Sequence, residues 1–339
     1  MGLWCPSFAR RHNVKKTHLL SVLLVMASGV PCVAQTKWYK FDKSFIEQAF
    51  PQDSAIGILR ARASHPASQI HPISCGGSDG ELHVGIAAPD IVGASSGQFM
   101  SGPANTNEAF GIVAEPPNAS TTLLTRMKAA AGTPIVFFGY YRVWNEGHDA
   151  GTIFPSNPHH VLEVHPAWGI RTQNQGQILD PQTIFPMPAY QGYGPTKYGP
   201  LLQASSTNHW PQVAEDQQFL HVQIAKADNF YQLPVHIKQV KSVSEGIEAN
   251  VDVLSDVGET EVVYSNLSVV AAKGSEIATQ LAPDQTAYLL GFFSVNLRKA
   301  LTAAAGHEGP TNAVFAPEAL EFFTFGFPKQ PSVASCSSH

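Results

Sequence analysis

Pro134-Ile135-Val136-Phe137-Phe138-Gly139-Tyr140-Tyr141-Arg142-Val143-Trp144 reads as one long strand that is apolar on both faces. A strand with one wet face alternates apolar and polar residues; a strand covered on both sides does not. This segment therefore predicts a barrel wall with core on one side and another element on the other. Working upstream, Ser120 caps a helix of roughly ten residues that contains Leu123, Leu124, Met127 and Lys128 and is ended by Gly132. Before it come three strands. Phe110 to Ala114 is stopped by Pro116-Pro117. Glu81 to Ile86 places Leu82, Val84 and Ile86 on one face and follows the turn Ser78-Asp79-Gly80, and Ala55 to Arg62 precedes both. Downstream, a loop rich in Gly, Asp and Pro leads to a last strand, His160 to Ile170. Three strands, a helix and two strands is the element order of an OB-fold, a five-stranded Greek-key barrel. An unrelated β-sandwich has the same count. The fold class expected is mainly β, with an OB-like barrel over residues 36–180.

Residues 181–212 break the pattern. Ile184 to Pro195 is punctuated by Pro and Gly and reads as a linker or long surface loop. Its Tyr190 and Tyr193, with Tyr198, suit either a ligand groove or anchorage of the loop to the body. Alternating segments resume at Phe219–Ile224, Leu233–Ile237, Ile247–Leu254, Glu261–Tyr264 and Ala287–Phe293. They predict a second small antiparallel β barrel or sandwich over 213–305, closed by a helix near Val295 to Ala305. Residues 306–339 form an extension with one apolar stretch, Leu320 to Phe327, and a Ser-rich tail. No internal repeat is recognisable. With 27 Gly, 25 Pro and only 14% charged residues, the composition is that of a turn-rich β protein.

The N-terminus reads as an export signal. Arg10, Arg11, Lys15 and Lys16 precede an apolar run from Leu19 to Val30. That run is roughly twelve residues, short of the ~20 that span a bilayer core. Pro31-Cys32-Val33-Ala34 leaves small residues where a signal peptidase needs them, so residues 1–34 are expected to be removed and the protein to be secreted or periplasmic. The whole chain carries a net charge of −5, and losing four basic residues makes the remainder more acidic. That balance argues against nucleic acid and against anionic membrane surfaces as partners. Cys75 and Cys336 remain after cleavage; in an oxidising compartment they either pair or stay as two thiols.

Asn157-Pro158-His159-His160-Val161-Leu162-Glu163-Val164-His165-Pro166 is the densest polar segment. On a strand, Glu163 and His165 share a face. Two imidazoles and a carboxylate form a legitimate zinc ligand set, with His83 on a neighbouring strand as third member. Trp144 lies near the same barrel end. The helical His-Glu-x-x-His spacing of zinc proteases and a phosphate-binding Gly loop are absent; Gly76-Gly77-Ser78-Asp79-Gly80 has the Gly-x-Ser-x-Gly spacing, but no helix follows it, so it reads as a turn and not as a nucleophile elbow.

Asp79-Gly80-Glu81-Leu82-His83-Val84 and Val161-Leu162-Glu163-Val164-His165-Pro166 resemble a pattern in exported bacterial proteins that carry an OB-fold-like domain of unknown function. Those chains read approximately Asp-Gly-Asp-x-His-Ile and then Glu-Ile-His-Pro. The resemblance covers residues 54–171, departs at Glu81, and implies a barrel but no activity. The reading that follows is a non-catalytic extracytoplasmic binding or interaction protein without a cofactor, acting on an unknown ligand or protein. Its contact residues would be Trp144, Glu163, His165, Tyr190 and Tyr193. The alternative is a metal-dependent hydrolase in which His83, Glu163 and His165 hold zinc.

Overall fold

The computed structural model describes residues 37–49, 56–63, 82–87, 100–101, 112–116, 119–130, 134–144, 159–172, 176–179, 196–197, 211–224, 231–243, 246–255 and 260–327. Residues 1–34, which the sequence suggests as an export signal, and Cys75, Cys336, Tyr190 and Tyr193 lie outside them.

β1 (Lys37–Asp42) runs directly into α1 (Lys43–Ala49). Then come β2 (Ile56–Ala63), β3 (Val84–Ala87), β4 (Met100–Ser101) and β5 (Ile112–Ala114). α2 (Thr121–Ala129) begins where expected: Ser120 Oγ accepts the Leu123 N–H at 3.1 Å, and Leu123 and Met127, one turn apart, are buried. β6 (Pro134–Val143), β7 (His159–His160), β8 (Leu162–Thr172) and β9 (Gly176–Leu179) follow. Strands β2, β3, β5, β8 and β6 pair in that order, and β6 returns to β2. The result is a closed five-stranded barrel in which only β5 and β8 run parallel. β9 extends β8, and β4 pairs with β7 apart from the ring.

The second half contains β10 (Thr196–Lys197), β11 (Gln212–Glu215), β12 (Phe219–Ile224), β13 (Tyr231–Val243), β14 (Gly246–Leu254) and β15 (Val262–Ala272). After them come α3 (Glu276–Gln280), β16 (Thr286–Val295), α4 (Leu297–Ala304), β17 (Val314–Phe315) and β18 (Leu320–Gly326). β13, β14, β15, β18 and β16 form a second ring, closed by β16 on β13. Three sequence expectations are corrected here. The ring is not wholly antiparallel, because β15 and β18 run parallel. Its fifth strand is β18, beyond residue 305. β11 and β12 do not join it; they pair with β1 and β17 in a four-stranded sheet, order β1-β12-β11-β17.

A fourth correction concerns repeats. The two rings have the same strand order, the same single parallel pair and a helix between third and fourth strands. Register places Arg142 opposite Glu163 in the first ring and Ser294 opposite Glu321 in the second. The residues then align: Phe137-Phe138-Gly139-Tyr140-Tyr141-Arg142-Val143 with Leu289-Leu290-Gly291-Phe292-Phe293-Ser294-Val295, and Leu162-Glu163 with Leu320-Glu321. Both glycines sit at a register shift where the strand crosses its neighbour. A Cβ on Gly139 would lie 2.6 Å from the Pro166 carbonyl oxygen, and one on Gly291 would press on the Phe323 carbonyl and lie 2.8 Å from the Phe322 ring. Only a residue without a side chain permits that approach.

The rings meet through strands of equal rank, β6 and β8 against β16 and β18. The Tyr140 ring lies 4.8 Å from that of Phe323, and Trp144 stacks on Phe293 at 5.9 Å. The Val143 N–H donates to Ser294 Oγ at 3.0 Å. The second ring is thus the outer cover that the two-faced apolar strand required.

Candidate functional site

Five ionisable side chains line up where the first ring faces the second: His83, Glu115, His165, Glu163 and Arg142, each between 0% and 8% exposed. Strand geometry explains the row. Glu163 and His165 are two apart on β8 and share a face. Val113 of β5 pairs with Glu163, so Glu115, two residues on, falls beside His165. His83 precedes β3, whose Val84 pairs with Ala114, and so falls beside Glu115. Arg142 lies directly opposite Glu163.

The contacts run in sequence. His83 Nε2 is 3.3 Å from Glu115 Oε1, and His165 Nδ1 is 2.8 Å from Glu115 Oε2 and 3.3 Å from Glu163 Oε1. Arg142 donates from Nη1 to Glu163 Oε1 at 2.8 Å and from Nε to the Phe293 carbonyl at 3.1 Å. Its guanidinium also covers the Phe292 ring at 4.2 Å. Two carboxylates face one guanidinium, and both imidazoles lie against Glu115. Buried charge costs several kcal/mol per ion unless paired and hydrogen-bonded, which is what this row does.

Donor atoms of Glu115, Glu163 and His165 lie within 4.8 Å of one another, the spacing of a possible ion site. Two features oppose that use. Ligands about 2.0 Å from a tetrahedral ion stand roughly 3.3 Å apart, whereas His165 Nδ1 and Glu115 Oε2 are already at hydrogen-bond distance, 2.8 Å. The Arg142 cation also lies 2.8 Å from Glu163 Oε1 and would sit beside any ion bound there, like charge against like.

The equivalent glutamate of the second ring, Glu321, is buried as well. Its Oε1 accepts the Tyr140 hydroxyl at 2.8 Å, and its Oε2 accepts Asn296 Nδ2 at 3.1 Å and Ser268 Oγ at 3.3 Å. Burial, then the Glu321 charge, pushes the Tyr140 hydroxyl well above the usual tyrosine range. From Glu321 the polar chain surfaces. Ser268 Oγ contacts Glu248 Oε1 at 3.1 Å, and Lys241 Nζ lies 2.7 Å from Glu248 Oε2. There it opens into a groove of about 620 Å³ across β13, β14 and β15, with α4 along one wall. Gln239, Asn250, Asn266, Ser268 and Thr302 supply its uncharged polar lining.

Of the residues singled out from sequence, the structure brings His83, Glu163 and His165 into one row. Trp144 is buried between the rings with its indole on Phe293. Glu115, Arg142 and Glu321, and the whole groove, are absent from the sequence reading. The signal for the first three was present: each is a lone charge within or against an apolar strand run, and such charges are found buried only with a partner. No family model, curated protein or solved structure matches this chain.

Proposed function

We propose that the protein is a non-catalytic extracytoplasmic binding or interaction protein built on OB-like barrels. The strand order supports the OB-like assignment: strands one, two, three, five and four close a ring, strands three and five run parallel, and a helix joins three to four. The resemblance of residues 54–171 to exported bacterial OB-like proteins points the same way, and the apolar run after Arg10, Arg11, Lys15 and Lys16 supports export.

The observation that carries the reading is the groove. It lies across strands one to three of the second ring and so overlaps the face of strands two and three through which OB barrels bind oligonucleotides and oligosaccharides. That parallel is one of fold, and the residues must carry the rest. Among the described residues, the side-chain amides of Gln239 and Asn250 make no hydrogen bond within the protein. Amides held out in this way suit a ligand. The row from His83 to Arg142 is closed to anything the size of a substrate and holds the two rings together.

Thermal melting of the full chain against a library of extracellular small molecules and polymers tests this. The expected result is a ligand that raises the melting temperature, loses its effect when Asn250 is replaced, and is recovered unchanged after incubation. Recovery of a cleaved ligand would overturn the non-catalytic reading. A second reading, a metal-dependent hydrolase, starts from the clustering of donor atoms of Glu115, Glu163 and His165 within 4.8 Å, against the short His165–Glu115 contact and the neighbouring Arg142. It requires zinc to stabilise the wild type as RT ln(1 + [L]/Kd) and to leave Glu163→Ala and His165→Ala unmoved.

A further inference from the structure

We infer that the groove over β13, β14 and β15 binds an extended polypeptide segment that carries a lysine or arginine. The inference rests on the groove being the binding site and adds the class of partner.

The polar groups that the fold leaves open set the chemistry. Ser268 is not among them, because its hydroxyl is taken up by Glu248 and Glu321. Lys241 is paired with Glu248 at 2.7 Å, and the Lys299 ammonium stands between Glu248 at 3.6 Å and buried Glu321 at 3.8 Å. The open groups are the carboxamides of Gln239 and Asn250 and the carboxylate of Glu318. The last is exposed and has no hydrogen bond or ion pair among the described residues. Charge therefore has a sign here. Three carboxylates, of Glu248, Glu318 and Glu321, face two ammonium groups, of Lys241 and Lys299. The surplus is negative and falls on Glu318. The chain as a whole carries −5. Both charges favour a cationic partner over an anionic one.

The two carboxamides point to a peptide backbone. Gln239 stands directly opposite Asn250 on the neighbouring strand. An Asn or Gln side chain carries the same carbonyl acceptor and N–H donor as a peptide unit. In an extended chain the N–H and C=O of one residue point the same way, so one carboxamide can close both bonds with that residue. The residue two further on, about 6.7 Å away, presents the same pair on the same side. Cross-strand Cβ atoms are about 5 Å apart, and the longer stem of Gln239 covers the difference. A segment lying across the strands thus meets Gln239 with one residue and Asn250 with the next but one. The small side chains of Ala249 and Ala303 in the lining leave width for the side chains of the segment itself.

Glu318 ends the same row. Beyond β13, β14 and β15 the next strand of the ring is β18, and Ser268 pairs with its Glu321. Glu318 lies in the turn that leads into β18. That turn is tied to β15 by the Tyr264 hydroxyl, which donates to the Pro317 carbonyl at 3.1 Å. The row therefore runs from Gln239 through Asn250 and past β15 to an unpaired carboxylate. A segment held by the two carboxamides brings a lysine or arginine a few residues along to Glu318, where the charges are complementary.

The test is titration calorimetry of the full chain, with heteronuclear NMR to locate the binding. The probes are end-blocked octapeptides of alternating Ala-Lys, Ala-Ser and Ala-Glu, with spermidine and hexameric glucosamine as cations that lack peptide bonds. The Ala-Lys peptide is expected to bind and to shift the side-chain amide resonances of Gln239 and Asn250. It should bind about threefold more tightly than Ala-Ser, the effect of one exposed charge pair, and Ala-Glu should bind least. Gln239→Ala and Asn250→Ala should each weaken the Ala-Lys peptide about fivefold. Their melting temperatures should stay at the wild-type value, since neither amide bonds within the protein. Glu318→Lys should reverse the order of the charged peptides. Binding that survives both alanine substitutions would overturn the inference, as would an order of peptides that Glu318→Lys leaves unchanged. Spermidine, hexameric glucosamine or another ligand from the wider library shifting the groove where all three peptides fail would refute the peptide class and leave the groove as the binding site. Silence of the groove towards every probe would refute both.

Discussion

Replacing Arg142 by Met strips the buried Glu163 carboxylate of its guanidinium. Arg142 is fully buried, bonds Glu163 at 2.8 Å and the Phe293 carbonyl at 3.1 Å, and lies over the Phe292 ring. Removing one partner of a buried ion pair costs roughly 3–5 kcal/mol, most of it the penalty of the stranded charge. The lost carbonyl bond and cation–π contact fall within that range, because Met refills part of the volume. The expected cost is about 4 kcal/mol, a large share of the ~5–15 kcal/mol that holds a folded protein together. Urea unfolding followed by circular dichroism and by tryptophan fluorescence reads it; coincidence of the two curves checks that the rings unfold together. The companion is Arg142→Met with Glu163→Leu, which removes both charges and should recover most of the loss. A cost below about 1 kcal/mol for Arg142→Met would refute the reasoning, and so would a double variant no more stable than the single one.

Gly291→Ala should destabilise by about 1–3 kcal/mol or more, because its Cβ meets the Phe323 carbonyl and the Phe322 ring, and a chevron or urea curve will show it; stability equal to wild type would mean the crossing can widen. Burial raises the Asp216 carboxyl, but the Phe219 N–H at 2.7 Å, the His221 imidazole at 2.7 Å and the Gln218 N–H outweigh it and bring the group down to about 2. Its folded pKa is thus below its unfolded one, so its contribution is complete above pH ~4 and is lost as pH falls towards 2; the stability difference between wild type and Asp216→Asn should vanish over that window, and a difference independent of pH would refute the assignment. Residues 36–180 alone should show no cooperative melt, since β1 loses β12, and Tyr140 and Arg142 lose Glu321 and the Phe293 carbonyl; a transition matching that of the whole chain would show that the first barrel needs no partner.

The first barrel was legible because its signals are local. The Ser120 cap, the alternation at Leu82, Val84 and Ile86, and the two-faced run from Ile135 each report on a few neighbouring residues. The second ring was less so. Phe219–Ile224 alternates as well as any barrel strand, yet pairs with Lys37–Asp42 far away in sequence, and alternation carries no information about partners. Leu320-Glu321-Phe322-Phe323-Thr324-Phe325 does not alternate, because the strand is buried on both faces, so in sequence it shows as an apolar stretch and not as a barrel strand. The repeat was hidden for a related reason. Only the strands that form the seam kept recognisable residues, and two short matches separated by unlike loops do not stand out until register aligns them. At the site, Glu163 and His165 were visible as strand neighbours, whereas Glu115 and Arg142 come from other strands and join them only by pairing across the barrel.

Two like units that meet through like strands are related by an approximate two-fold axis, and the protein is in that sense a dimer made covalent. In a dimer of identical subunits every residue at the axis confronts its own copy. Arg142 and Ser294 are counterparts: the first reaches the Phe293 carbonyl of the second ring, and the second accepts the Val143 N–H of the first. Two arginines there would force like charges into one dry seam, and two serines would leave Glu163 without its cation. Tethering both halves in a single chain frees the counterparts to differ. One glutamate then takes a guanidinium and becomes a clasp between the halves, while the other takes a tyrosine and an asparagine and stays joined, through Ser268 and Glu248, to the open face.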